Sequence, residues 1–203
     1  MKKIKIMKKF YVLIFCFFIS HLIHAQLSVG ITAGLHFSAE SFSGDPTLII
    51  YDDVQSFQIG IALKTELSDK FKIKGNVLYN IAGSKTNLFT PSGDPINVFK
   101  QNLQLEARAS LRVLRAIYLE FGPFISYLVA VDQGINRDAF ERLGVGVIPA
   151  VSFSLGSTLE LTAYYQLGLS NLSSTEFTNA AGQVIDGDVN AYQYGLRLSF
   201  YLN

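Results

Sequence analysis

From Leu27 onward the chain alternates apolar and polar residues with a period of two. Leu27, Val29, Ile31, Ala33, Leu35 and Phe37 occupy one phase, while Ser28, Gly30, Thr32, Gly34 and His36 occupy the other. Successive side chains of a strand point to opposite faces, so this segment predicts a strand with one apolar face. The pattern recurs over residues 57–67, 71–81, 99–113, 117–129, 140–153, 159–169 and 193–202, predicting eight strands. Each has about ten residues or more, the length a tilted strand needs to cross a bilayer.

The connections alternate too. Ser68-Asp69-Lys70, residues 114–116 and the Gly156-Ser157 turn are short, whereas 39–56, 82–98, 130–139 and 170–191 are long and polar. Short turns on one side and long loops on the other predict an all-β, up-and-down antiparallel transmembrane barrel of eight strands. Pro123 and Pro149 fall within strands and lack ladder donors, which predicts a bulge at one or both.

Alternation alone also suits a soluble, lipocalin-like carrier with its apolar face inward. Three features favour an apolar face turned to lipid. Gly30, Gly34, Gly60, Gly122, Gly144, Gly146, Gly168 and Gly195 gather on the polar phase, as a narrow lumen requires. Phe37, Phe57, Tyr79, Phe99, Tyr127, Phe140 and Tyr194 stand near the long-loop end of the apolar phase, predicting an interfacial aromatic girdle. Lys64, Glu66, Lys72, Lys74, Glu106, Arg108, Arg112, Glu120, Glu160 and Arg197 all take the polar phase. A charge facing hydrocarbon near the midplane would cost about 2–4 kcal/mol.

The N-terminus places the barrel in an exported protein. Lys2, Lys3, Lys5, Lys8 and Lys9 precede an almost wholly apolar run over residues 10–23, and Ala25 offers a small residue for cleavage. These features predict a secretory signal peptide over residues 1–25 and a barrel domain over 26–203. Its removal leaves 12 basic against 16 acidic groups, a balance of −4, and no basic footprint for nucleic acid. Cys16 departs with the signal, so the mature chain has no thiol chemistry.

Chemistry is sparse in what remains. His36 is the one histidine of the mature chain, with Glu40 and several serines nearby in sequence, the residue types of a lipid-modifying barrel hydrolase. No nucleophile motif accompanies it, so the histidine reads as a hydrogen-bonded rim residue and no catalytic residue is assigned. Asp186-Gly187-Asp188-Val189-Asn190 spaces oxygen ligands as calcium loops do but lacks a downstream glutamate, so it reads as a turn and no metal or cofactor is expected. Ser43-Gly44-Asp45-Pro46 and Ser92-Gly93-Asp94-Pro95 read as reverse turns. The long loops carry an acidic excess, including Glu40, Asp52, Asp53, Asp132 and Asp138, against few cations such as Lys85, Lys100 and Arg137.

The signal ending His24-Ala25-Gln26, the strand Val29-Gly30-Ile31-Thr32-Ala33-Gly34-Leu35 and the final Tyr194-Gly195-Leu196-Arg197-Leu198-Ser199-Phe200 resemble the PorT-like outer-membrane β-barrel family. The resemblance implies an outer-membrane location and, for some members, a part in protein secretion; it transfers no site residues. The sequence thus predicts a non-enzymatic outer-membrane barrel with a salt-bridged lumen. The expected partners are outer-membrane lipid and lipopolysaccharide, the barrel-insertion machinery, and a protein at the long external loops. A small porin-like channel, a lipid-modifying enzyme and a soluble carrier are the competing readings.

Overall fold

The computed structural model describes residues 27–42, 51–86, 96–132, 137–171, 177–178, 184–185 and 189–202. Its long strands are β1 (Leu27–Phe42), β2 (Tyr51–Glu66), β3 (Phe71–Thr86), β4 (Ile96–Arg112), β5 (Ile117–Val131), β6 (Leu143–Leu155), β7 (Leu159–Gly168) and β10 (Val189–Leu202). Between β7 and β10 lies a short hairpin, β8 (Phe177–Thr178) with β9 (Val184–Ile185). The eight long strands close in the order β1-β10-β7-β6-β5-β4-β3-β2, every neighbour antiparallel. Ile31 pairs with both Ile61 of β2 and Phe200 of β10, which seals the cylinder. Closure removes the unpaired sheet edge that hydrocarbon could not solvate.

The two phases separate as the alternation predicts. Along β7, Glu160, Thr162, Tyr164 and Gln166 are buried, while Leu161, Ala163, Tyr165 and Leu167 are exposed. Ile31 is 66% exposed on the outside and Arg197 is 0% exposed on the inside, an inversion of the soluble-protein arrangement. A continuous belt of exposed leucine, isoleucine, valine and phenylalanine is compatible with lipid and not with water. The soluble carrier, which requires its apolar face inward, does not fit this geometry.

Three hairpin turns are tight. The Leu67 amide donates to the Phe71 carbonyl at 3.0 Å across Ser68-Asp69-Lys70, and the Phe71 amide donates back to the Ser68 carbonyl at 3.2 Å and the Ser68 hydroxyl at 3.1 Å. Val113 and Ile117 are joined across residues 114–116, the Val113 amide donating at 3.0 Å. Gly156 has φ +80° in the β6–β7 turn, a conformation that a Cβ disfavours.

Several expectations are corrected. The strands run past the aromatic girdle, so much of 39–56 and 82–98 is strand: β1 continues to Phe42, β2 begins at Tyr51, β3 reaches Thr86 and β4 starts at Ile96. Above the lipid interface an outward residue meets water, so alternation is no longer enforced and the sequence loses its signal there. Phe140 is not on the lipid face. A 3-10 turn at Arg137–Ala139 folds the chain over the mouth, and Phe140 packs against Val98 and Leu128, which face inward. Phe99 pairs with Gly83, four residues beyond Tyr79, and so stands above the remaining girdle.

Neither proline makes a bulge. Phe121↔Pro149 and Pro123↔Val147 keep the β5–β6 register. Instead the ladder lapses beside each: β4–β5 pairing is broken between Glu106↔Phe124 and Ala109↔Phe121, and β6–β7 pairing between Val147↔Leu167 and Ala150↔Tyr164. Each proline withholds one donor without adding a residue, so register survives. The register shifts lie instead between Gln101 and Asn102 in β4 and between Asp53 and Gln58 in β2. The inward glycines also do more than leave room. A Cβ on Gly146 would land on the Leu167 carbonyl oxygen as well as the Phe124 ring, so its absence lets neighbouring strands approach in a small, strongly curved barrel.

Candidate functional site

The polar phase of eight strands converges on one axis, and its side chains form three tiers of different charge balance. The middle tier joins six charges. Arg197 of β10 forks onto Glu106 of β4, with Nη1 2.6 Å from Oε2 and Nη2 2.8 Å from Oε1. Asn76 and the Gln104 amide donate to the same carboxylate at 2.7 and 2.8 Å. Lys74 of β3 bonds Glu160 at 2.6 Å, pairs with Glu120 and donates to Ser152 at 3.0 Å. Arg108 stands 2.8 Å from Glu120 Oε2 and 3.6 Å from Glu106. Lys74, Arg108 and Arg197 thus balance Glu106, Glu120 and Glu160, three against three.

Desolvating these charges is costly, so neutrality and dense hydrogen bonding are conditions for burying them. Gln58 accepts from Arg197 at 3.1 Å and donates to the Tyr164 hydroxyl at 2.7 Å, and the guanidinium lies 4.7 Å from the Tyr164 ring centre. Beside the ions, Phe124, Ile148, Ala150 and Tyr164 form an apolar wedge. These side chains fill the bore across its middle, as eight strands allow.

Toward the long loops, neutral amides continue the seal. Asn80 donates to Gln104 at 3.1 Å and Gln193 at 3.2 Å, and Gln104 donates to Gln166 at 3.0 Å. Above them Lys100 pairs with Glu40, and its ammonium lies 4.0 Å from the Phe140 ring centre. Glu40 and Lys100, expected among the loop charges, are therefore a lumen ion pair. The cavity of about 60 Å³ in this tier has room for a few waters.

The turn-side tier is different. Lys72 bonds Glu66 at 2.6 Å, but Lys64 donates to the Ser157 carbonyl at 3.2 Å and sits 4.1 Å from the Tyr201 ring centre. Arg112 donates to the Tyr118 hydroxyl at 3.0 Å. A cavity of about 610 Å³ opens among these groups and Arg115.

His36 does not meet the other parts of a hydrolytic set. It is buried, its Nε2 lies 3.0 Å from the Ile81 carbonyl, Ser38 donates to the Gly83 carbonyl, and Glu40 is held by Lys100. Asp186 and Asp188 of the calcium-like segment lie outside the described residues, as do both Ser-Gly-Asp-Pro turns and the signal segment. Among the described residues no three of His, Cys, Asp and Glu gather as a metal set. At the outer rim, Asp53 accepts from the hydroxyls of Tyr192 at 2.9 Å and Tyr194 at 2.7 Å. Tyr194 stacks with Phe37 at 5.6 Å and with Tyr165 at 6.4 Å, adding Tyr165 to the girdle.

The inward positions of the ten lumen charges were legible from phase, and all but Glu66 and Arg112 are buried. The apolar lumen residues Leu78, Val98, Leu128 and Ile148 were missed: Val98 fell in the expected 82–98 connection, and the other three are apolar residues on a phase read as polar.

No family model matches the chain, and no curated protein sequence does. Solved structures do. Neisserial surface protein A aligns with a TM-score of 0.55 at 14% identity, over 86% of this chain and 98% of its own. The outer membrane protein OprG from Pseudomonas aeruginosa aligns with a TM-score of 0.50 at 9% identity, over 89% of this chain and 98% of its own. At such identities the likeness concerns the fold. The closed antiparallel cylinder, the outward apolar belt and these alignments together give the chain the fold of the small eight-stranded outer-membrane β-barrels.

Proposed function

We propose that the protein is an exported outer-membrane barrel that conducts no solute and acts through the surfaces it presents outside the bilayer. The observation that carries this reading is the neutral, hydrogen-bonded middle tier, which occupies the bore where a channel would need water. In this reading residues 1–25 direct export, the barrel-insertion machinery places the cylinder, and the short turns face the periplasm. The extended rims of β1 to β4 and the 170–191 connection then present an interaction surface to lipopolysaccharide and to a protein partner. Membership of the PorT-like family and a part in secretion agree with the strand texture and with a non-enzymatic barrel.

Planar-bilayer recording of the purified barrel tests the proposal. The expected result is a silent bilayer, with no single-channel steps. Regular steps that vanish when the middle tier is left intact but the outer mouth is cross-linked would establish a channel instead.

A further inference from the structure

The lumen neutralises its charges tier by tier, except at one end. The middle tier sets three cations against three carboxylates, and the outer tier sets Lys100 against Glu40. At the turn-side mouth Lys64, Lys72, Arg112 and Arg115 line one cavity with a single carboxylate, Glu66. Glu66 is engaged with Lys72, leaving three cations with no carboxylate partner among the described residues.

We propose that the turn-side mouth is a binding site for a phosphate-bearing anion, held by Lys64, Lys72, Arg112 and Arg115. The cavity of about 610 Å³ falls in the size range of small-molecule sites. A phosphate carries up to two charges and several acceptor oxygens, which suits a surplus of three cations better than one carboxylate does. Two of the four are guanidinium groups, whose forked donors fit phosphate oxygens. Tyr118 adds a donor: its oxygen accepts the Arg112 Nε proton at 3.0 Å, which leaves its own hydroxyl proton to give. Charges of one sign gathered in a concave mouth raise the local concentration of anions.

The geometry also indicates the source of the anion. Lys64, Lys72 and Arg112 stand on the inward phase of β2, β3 and β4, and Arg115 lies in the β4–β5 turn, so the cavity opens along the barrel axis and not toward the acyl chains. A phosphate on a soluble molecule reaches it directly; a lipid headgroup would have to cross the rim. This site stands whether or not the outer loops contact a partner.

The test is titration of inorganic pyrophosphate into the detergent-purified barrel by calorimetry at low ionic strength, where screening is weak. Saturable binding with a dissociation constant below about 1 mM is expected. Arg112→Gln/Arg115→Gln should weaken it by more than about tenfold, equivalent to about 1.4 kcal/mol. Lys70→Gln, which removes a cation from the adjacent turn, should leave it unchanged. Heat-modifiable mobility verifies that each variant is folded, and Arg115→Gln alone, at an exposed position, serves if the double variant is not. Absence of saturable binding, or equal loss in Lys70→Gln, overturns the site. Repeating the titration in nanodiscs of phosphatidylcholine and of phosphatidylglycerol separates the sources. Unchanged pyrophosphate affinity in both supports a soluble anion, and loss confined to phosphatidylglycerol overturns that assignment in favour of a headgroup.

Discussion

Replacing Arg197 with methionine removes one charge from the balanced lumen and keeps most of the side-chain volume. The guanidinium is wholly buried and supplies two of the hydrogen bonds on Glu106. Its loss leaves two cations facing three carboxylates in the middle tier. Breaking a buried ion pair by removing one partner costs about 3–5 kcal/mol. Glu106 retains donors from Asn76 at 2.7 Å and Gln104 at 2.8 Å, with Arg108 at 3.6 Å, so the low end applies. The expected loss is about 3 kcal/mol, roughly a hundredfold in the folding equilibrium. Adding Glu106→Gln restores two cations to two anions, and the double variant should return to within about 1 kcal/mol of the parent, because replacing both partners is often near neutral. Urea titration of the barrel in lipid vesicles, read by heat-modifiable mobility on unboiled gels, gives the stabilities of the parent, both single variants and the double variant. A loss below about 1 kcal/mol in the single variant, or a double variant as unstable as the sum of the singles, would refute the argument.

Other expectations follow from the wall of the barrel. Leu198→Arg puts a charge on the outward belt between Ala33 and Leu161 and should cost about 2–4 kcal/mol in the same assay, and a cost near zero would mean that this face does not meet hydrocarbon. Gly146→Val drives a side chain into the Leu167 carbonyl and the Phe124 ring, with an expected loss of about 1–3 kcal/mol; a neutral outcome would show that the strands can separate there freely. Pro123→Ala returns a backbone donor to the lapse between β4 and β5 and should stabilise by about 0.5–1.5 kcal/mol, with new amide protection at residue 123 in hydrogen exchange. No added protection would mean that the lapse has another cause.

Much of this architecture was legible because lipid enforces alternation so strictly. A strand such as Leu159–Gly168 cannot place Glu160 or Gln166 outward without a penalty, so period and phase identify both faces. The same reasoning fails where the penalty ends. Beyond Phe37 and before Phe57 no hydrocarbon constrains the outward residue, and the strand ends were hidden there. Phe140 misled because an aromatic suits both an interfacial girdle and a lumen cap, and only the turn at Arg137–Ala139 decides between them. Phase likewise gave the inward charges but not their partners. Lys74 and Glu160 are 86 residues apart, and their meeting depends on cross-barrel adjacency that no local pattern encodes. The cationic mouth was invisible for the same reason: its lysines and arginines come from separate hairpins, and their surplus appears only after each carboxylate has been assigned a partner.

The chain contains no tryptophan, so a single introduced indole reports its surroundings without background. Phe200 is exposed and Tyr201 is buried on the same strand, one residue apart. With the barrel in bilayers whose acyl chains carry bromine, the fluorescence of Phe200→Trp should be strongly quenched and that of Tyr201→Trp nearly untouched. Quenching of Tyr201→Trp with Phe200→Trp spared would contradict the orientation of the two faces.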